Sequence, residues 1–148
     1  MSENQHQNTT RMQALEELCR QFRLALLYAF GSRTAELRDW LAGRLDALSA
    51  SASDVDIGVK ALTDEPWLVQ EKVRCALALE DLFGCSRVDL VMIAEADPFL
   101  AAEIIRGERL FADNDYAADE YELYILRRAG DLIPLERERM ALILGEGS

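Results

Sequence analysis

Histidine is almost missing from this chain, with His6 alone, and cysteine is scarce: Cys19, Cys75 and Cys85 are widely spaced, odd in number and without a C-x-x-C pair. That excludes a readable disulfide framework and a Cys/His zinc site. Cys19 and Cys75 instead fall on apolar helical stripes, where a free thiol acts as a small hydrophobe, which suits a reducing, cytoplasmic setting. Basic residues are also few, 16 against 27 acidic, for a formal charge of -11. Sequence-independent grip on a phosphate backbone needs Lys and Arg, so nucleic acid is not expected as a direct ligand. The acidic surface suits solubility or a basic protein partner. Finally, the first ten residues carry no apolar core of a signal peptide, and no apolar run approaches the roughly 20 residues needed to cross a bilayer. Neither secretion nor a membrane partner is expected.

What is present is enough apolar material, 50% of 148 residues, for one continuous core. Residues 1–9 are polar and aperiodic and read as a disordered lead-in to a single domain over 10–148. Met12, Leu15, Leu18, Cys19 and Phe22 recur at helical spacing. Leu24 to Phe30 is a short apolar run ending at Gly31-Ser32, the pattern of a strand buried on both faces. Thr34 to Leu48 returns to helical spacing through Leu37, Trp40, Leu41, Leu45 and Leu48. Small polar residues, Ser49 to Ser53, break it. From Asp54 to Val59 the chain alternates, with Asp54, Asp56 and Gly58 on one side and Val55, Ile57 and Val59 on the other. A helix from Trp67 to Phe83, opened by Pro66 and closed by Gly84, leads to an apolar strand, Arg87 to Ile93, interrupted only by Asp89. Then come a short helix, Pro98 to Arg106, an extended stub, Arg109 to Phe111, and a helix from Asp115 to Arg128. Gly130 and Pro134 separate that helix from a last one reaching about Leu144. The fold class expected is α/β (α+β), a small mixed sheet flanked by helices.

Chemistry concentrates in three places. Carboxylates that face the same way from alternate strand positions repel one another, and an apolar setting raises the cost. Asp54 and Asp56, about 7 Å apart along a strand, suit a pair of hard cations held roughly 4 Å apart, the spacing of two-metal phosphoryl chemistry. Mg²⁺ prefers such oxygens together with substrate phosphates. Asp89, on a strand that could lie beside theirs, is the third candidate ligand, because an unpaired charge inside an apolar strand is costly. At the end of the first strand, Gly31 permits close backbone approach, Ser32 offers a hydroxyl and amides at a helix start, and Arg33 offers a guanidinium for phosphate oxygens. Each element alone has an ordinary explanation, as a turn, a solvated edge or a helix cap. Their order along the chain is the signal.

At Phe30-Gly31-Ser32-Arg33, Ser53-Asp54-Val55-Asp56-Ile57 and Arg87-Val88-Asp89-Leu90-Val91 the sequence resembles the DNA polymerase beta nucleotidyltransferase superfamily. Within it, the nearest likeness is to the minimal nucleotidyltransferases of MNT or MntA type, which serve as antitoxins. The resemblance spans about residues 12–128, including the tail from Glu103 to Phe111. It implies a polymerase-beta-like fold, two Mg²⁺ ions, ATP as substrate and AMP transfer to a tyrosine of a HEPN-domain ribonuclease toxin. Asp54, Asp56 and Asp89 would then be catalytic and metal-binding, with Gly31, Ser32 and Arg33 holding the nucleotide. Two departures stand out: a longer spacer, Thr34 to Ser53, between Gly-Ser and the Asp pair, and Glu36 where a second glycine is usual. Two other readings go with the same residues. One is an antitoxin that acts only by covering its toxin; the other is a small-molecule adenylyltransferase, whose relatives usually carry an added helical domain.

The remaining conspicuous residues have plainer readings. Tyr121 and Tyr124, three apart on a helix, are expected to pack on the sheet, with Tyr116 nearby. Trp40 and Trp67 read as core or groove residues. Glu136-Arg137-Glu138-Arg139 reads as a solvated helix face, and His6 lies outside any candidate site.

Overall fold

A computed structural model describes residues 2–50 and 53–144, without the side chains of 2–9, 132–141 and 143–144. The charge run at 136–139 and the side chain of His6 therefore lie outside the described residues. Five helices and four strands follow in the order α1 (Ser2–Gln21), β1 (Leu24–Phe30), α2 (Thr34–Leu41), β2 (Val55–Ala61), α3 (Val69–Phe83), β3 (Val88–Met92), α4 (Pro98–Ile105), β4 (Glu108–Ala112) and α5 (Asp115–Leu144). A 3₁₀ turn, Ile93–Glu95, joins β3 to α4.

The strands form one mixed sheet in the order β3-β2-β1-β4. β1 pairs antiparallel with both β2 and β4, while β2 and β3 run parallel. A strand with neighbours on both sides and helices on both faces must be apolar throughout, and six of the seven β1 residues are buried, the remaining Ala25 partly so. The sheet separates two cores. On one face Leu27, Ala29, Val55, Ile57 and Val59 pack with Leu15 and Cys19 of α1, Leu37 and Trp40 of α2, and Cys75, Leu79 and Phe83 of α3. On the other, Leu26, Tyr28 and Phe30 meet Ala101, Ile104 and Ile105 of α4 and Ala118, Ile125 and Ala129 of α5. Burial raises the Cys19 thiol pKa and pushes that of Cys75 up to about 12, so both stay protonated as core hydrophobes.

Local chemistry sets several boundaries. Asp97 caps α4 by accepting from the amides of Phe99 and Leu100, both at 2.9 Å, with Pro98 in the first turn. Gly84 closes α3 in the left-handed conformation at φ 66. α5 is fastened to the sheet by a partly exposed polar cluster absent from the sequence reading. The fully buried Tyr28 hydroxyl donates to Glu122 at 2.5 Å, and Arg109 of β4 pairs with Asp119 and Glu122 at 2.9 and 3.2 Å.

Four expectations are corrected. The helix expected from Thr10 has its first described residue at Ser2, and Leu15 and Cys19 anchor it in the core. α2 stops at Leu41, not Leu48: Gly43 turns left-handed at φ 78, and Arg11 of α1 takes the carbonyls of Trp40 and Leu45 at 2.6 and 2.8 Å. Leu45 and Leu48 still pack on the core, but from an irregular segment. α3 starts at Val69, leaving Trp67 before it to pack against Phe22. α5 passes Gly130 and Pro134 as one helix, with Ile125 and Ala129 buried on its sheet-facing side.

Candidate active site

The three aspartates lie at the corner where β1 ends and where β2 and β3 begin. Because Val55, Ile57 and Val59 are buried in the α1–α3 core, the pleat sends Asp56 and Gly58 to the α4 face. A Cβ on Gly58 would indeed strike Ile104 of α4. In the parallel pairing Asp56 lies directly beside Asp89. Its neighbour on the other side is Phe30, the last residue of β1. The chain then turns at Gly31, φ +80, so tightly against Asp56 that a Cβ there would collide with Oδ2. Only glycine supplies both that backbone and that approach. Thr34 Oγ1 donates to the Gly31 carbonyl at 3.0 Å and closes the turn, leaving Ser32 exposed at its tip.

Electrostatics at this corner are unbalanced. The Asp56 carboxyl is held above its usual range by burial first, then by the negative charges of Asp89, Asp54 and Glu103. Among the described residues no Lys or Arg pairs with Asp56 or Asp89; the one ion pair is Arg87 Nε to Asp54 Oδ2, at 3.5 Å, with Arg87 largely in solvent. Glu103, on α4, was missed as a member of the site. Its place in the tail beside Ile104 and Ile105 was the available signal, since burial of those two fixes which way the α4 face turns.

Arg33, expected to hold phosphate, makes its contacts within the chain. Its guanidinium is 7% exposed and donates to Glu36 at 3.2 and 3.1 Å, to Ser49 O at 2.7 Å and to Ser53 O at 3.1 Å. Glu36 in turn accepts from the Ser49 amide. The Glu36 carboxylate thus receives the arginine, and together they tie Ser49 and Ser53 back onto the Gly-Ser turn. A guanidinium committed to these acceptors is not available to a phosphate. The Arg33 hydrogen bonds, followed by that of the Ser49 amide, hold the Glu36 carboxyl down at about 2.

The donor set is oxygen only and short of positive charge, which suits a hard divalent cation such as Mg²⁺. As they stand, no three His, Cys, Asp or Glu among the described residues close on a single ion position. Asp56 and Asp89 are side by side, while Asp54 leans to Arg87. The tyrosines lie elsewhere. Tyr121 is partly buried and Tyr124 is 53% exposed, both lining a cavity of about 380 Å³ at the far ends of β2 and β3, and Tyr116 is largely exposed. Trp40 is buried edge-on to Phe83, as a core residue. Among the described residues no helix is long and apolar enough to cross a membrane.

No protein-family model and no curated protein matches the sequence. Solved structures do match in shape. A chain of a crystal structure of a toxin-antitoxin with AMP-PNP aligns with a TM-score of 0.65 at 21% identity, covering 93% of this chain and 98% of that one. A chain from the structure of tri-AMPylated Shewanella oneidensis HEPN toxin in complex with MNT antitoxin gives 0.62 at 19% identity, over 95% and 99%. A crystal structure of the toxin-antitoxin MntA-HepT gives 0.61 at 20% identity, over 95% and 99%. The mixed α/β fold expected from the sequence is the fold observed, and it is shared with these structures along nearly the whole chain.

Proposed function

We propose that this chain is a Mg²⁺-dependent nucleotidyltransferase that moves AMP from ATP to a hydroxyl of a protein partner, acting as the antitoxin to a HEPN-type toxin. The observation that carries this reading is the register of Asp56 beside Asp89, with the Gly31 turn closed against them. Like charges that no Lys or Arg among the described residues pairs with, beside a backbone turn that exposes a hydroxyl, make a place for a metal–triphosphate. The shared fold supports the same reading, and one of the similar structures contains an AMPylated HEPN toxin.

Asp54, Asp56 and Asp89 would hold the divalent ions, whose contribution is to neutralise phosphate charge and polarise the α-phosphate. The chain's own groups do the positioning. The Ser32 hydroxyl and the amides that follow it bind the β- and γ-phosphate oxygens. Gly31 lets the tail lie close to Asp56. Asp89, exposed on the edge strand β3, faces an acceptor arriving from solvent and takes the proton of its hydroxyl. The acceptor oxygen then forms a bond to the α-phosphorus as the bond to the β-phosphate oxygen breaks, and pyrophosphate leaves. Arg33 has no part in phosphate binding; it holds the spacer and, through Ser53, the approach to Asp54. A toxin tyrosine is the acceptor this reading favours, and the need for ATP places the reaction in the cytoplasm.

The test is Asp54→Asn/Asp56→Asn. The pair should fold, as the change relieves repulsion, yet lose Mg²⁺-dependent ATP binding and AMP transfer. Retention of both would remove the aspartates from the site and the proposal with them.

A further inference from the structure

Resting on the reading above, we propose that Arg87 is a displaceable counter-ion. It holds Asp54 in the metal-free protein and turns its guanidinium to the nucleotide's phosphates once a divalent cation takes Asp54. Its position follows from the sheet. The parallel register pairs Val55 with Val88, and the Val55 amide donates to Arg87 O at 3.0 Å, so the residues one step earlier, Asp54 and Arg87, must stand side by side. Arg87 also lies two residues before Asp89 in the chain, so it stands near both carboxylate-bearing strands.

The contact is built to be broken. The approach, Nε to Oδ2 at 3.5 Å, is longer than the bonds of a strong arginine–carboxylate fork, and the Arg87 side chain is 77% exposed. Exposed pairs of this kind are weak, and a divalent cation at Asp54 outbids a single guanidinium held so loosely. The carboxylates do not close on one point in the present arrangement, and Asp54 is the one engaged elsewhere. A need remains on the nucleotide side. Arg33, expected to grip the triphosphate, is sealed among Glu36, Ser49 and Ser53. Among the described residues, Arg87 is the cation in ion-pair contact with any of the three aspartates. Released from Asp54, it needs no new backbone arrangement to meet phosphate oxygens there, since its own backbone is held by β2.

This predicts opposite signs for two affinities. Arg87→Gln should tighten Mn²⁺, used alone as the probe and read by the electron paramagnetic resonance of the free ion, by about two- to fivefold. It should weaken AMP-PNP, measured by calorimetry in Mg²⁺, about tenfold. Arg87→Lys keeps the charge without the fork and should fall between wild type and Gln on both. An exposed residue changed only for its structural role would move both affinities in the same direction, or neither; either result overturns the inference. Asp54→Asn/Asp56→Asn runs alongside. If that pair binds Mn²⁺ as tightly as wild type, the metal-site reading itself fails, an outcome distinct from failure of the Arg87 argument within an intact site.

Discussion

Replacing Arg33 by methionine removes the guanidinium and keeps much of the volume, and the structure sets the size of the loss. Three acceptors lose the guanidinium at once: Glu36, at both oxygens, and the carbonyls of Ser49 and Ser53. Removing one partner of a buried pair costs about 3–5 kcal/mol, because the other charge is left without compensation. Glu36 retains 23% exposure and water reaches it, which places the loss near the lower end, about 3 kcal/mol. With a urea slope of about 2 kcal/mol/M for a domain of this size, the unfolding midpoint should fall by about 1.5 M at unchanged slope. The double change Arg33→Met/Glu36→Gln leaves no orphaned charge, and its cost should fall short of the summed single changes by about 1.5 kcal/mol or more.

The pH dependence is a second reading of the same contact. Glu36 is held at about 2 against an ordinary 4.5, a depressed carboxyl. Its contribution is therefore complete above the unfolded value and is lost as pH falls from about 4.5 toward 2, and Arg33→Met should flatten that part of the stability curve. An Arg33→Met midpoint within about 0.3 M of wild type, or strict additivity in the cycle, would refute the clamp.

Other consequences follow from the same geometry. Asp56 is raised by burial and by its acidic neighbours, so its ionised form works against folding at neutral pH. Asp56→Asn should raise the melting temperature of the metal-free protein at pH 7, with the gain shrinking as pH falls and Asp56 itself protonates; a lower melting temperature would contradict this. Gly31→Ala places a methyl on the Asp56 carboxylate in a backbone that disfavours it and should cost about 2 kcal/mol or more by urea titration, whereas a neutral result would mean that the turn is not as close as described. Tyr28→Phe removes the buried hydroxyl from Glu122 and should cost about 1–2 kcal/mol, with α5 amides exchanging faster than those of β1; uniform exchange would separate that bond from the docking of α5.

Much of the sheet was legible because period-2 alternation and apolar runs are direct images of burial. Leu24 to Phe30 reads as a doubly covered strand and is one, and the alternation from Asp54 divides the two faces as the cores do. The grouping of Asp56 with Asp89 was open in the sequence, where nothing stated which strands are neighbours; the parallel register decides it. The contacts of Arg33 and Glu36 were hidden for a related reason. An arginine after Gly-Ser looks like a phosphate ligand until the spacer's carbonyls are found around it, and contacts at separations of 16 and 20 residues leave no periodic trace. The early end of α2 came from Arg11, on another helix, capturing carbonyls that helical spacing would have assigned to the helix itself. Glu103 was hidden because the direction in which α4 faces depends on Gly58 leaving room for Ile104.

The most direct test of the account is the intact mass of a HEPN-type protein encoded beside this chain, after incubation with the chain, ATP and Mg²⁺. The account predicts a gain of whole adenylyl units, absent when Asp54→Asn/Asp56→Asn replaces the wild type. A stable complex whose partner keeps its mass under those conditions would contradict it.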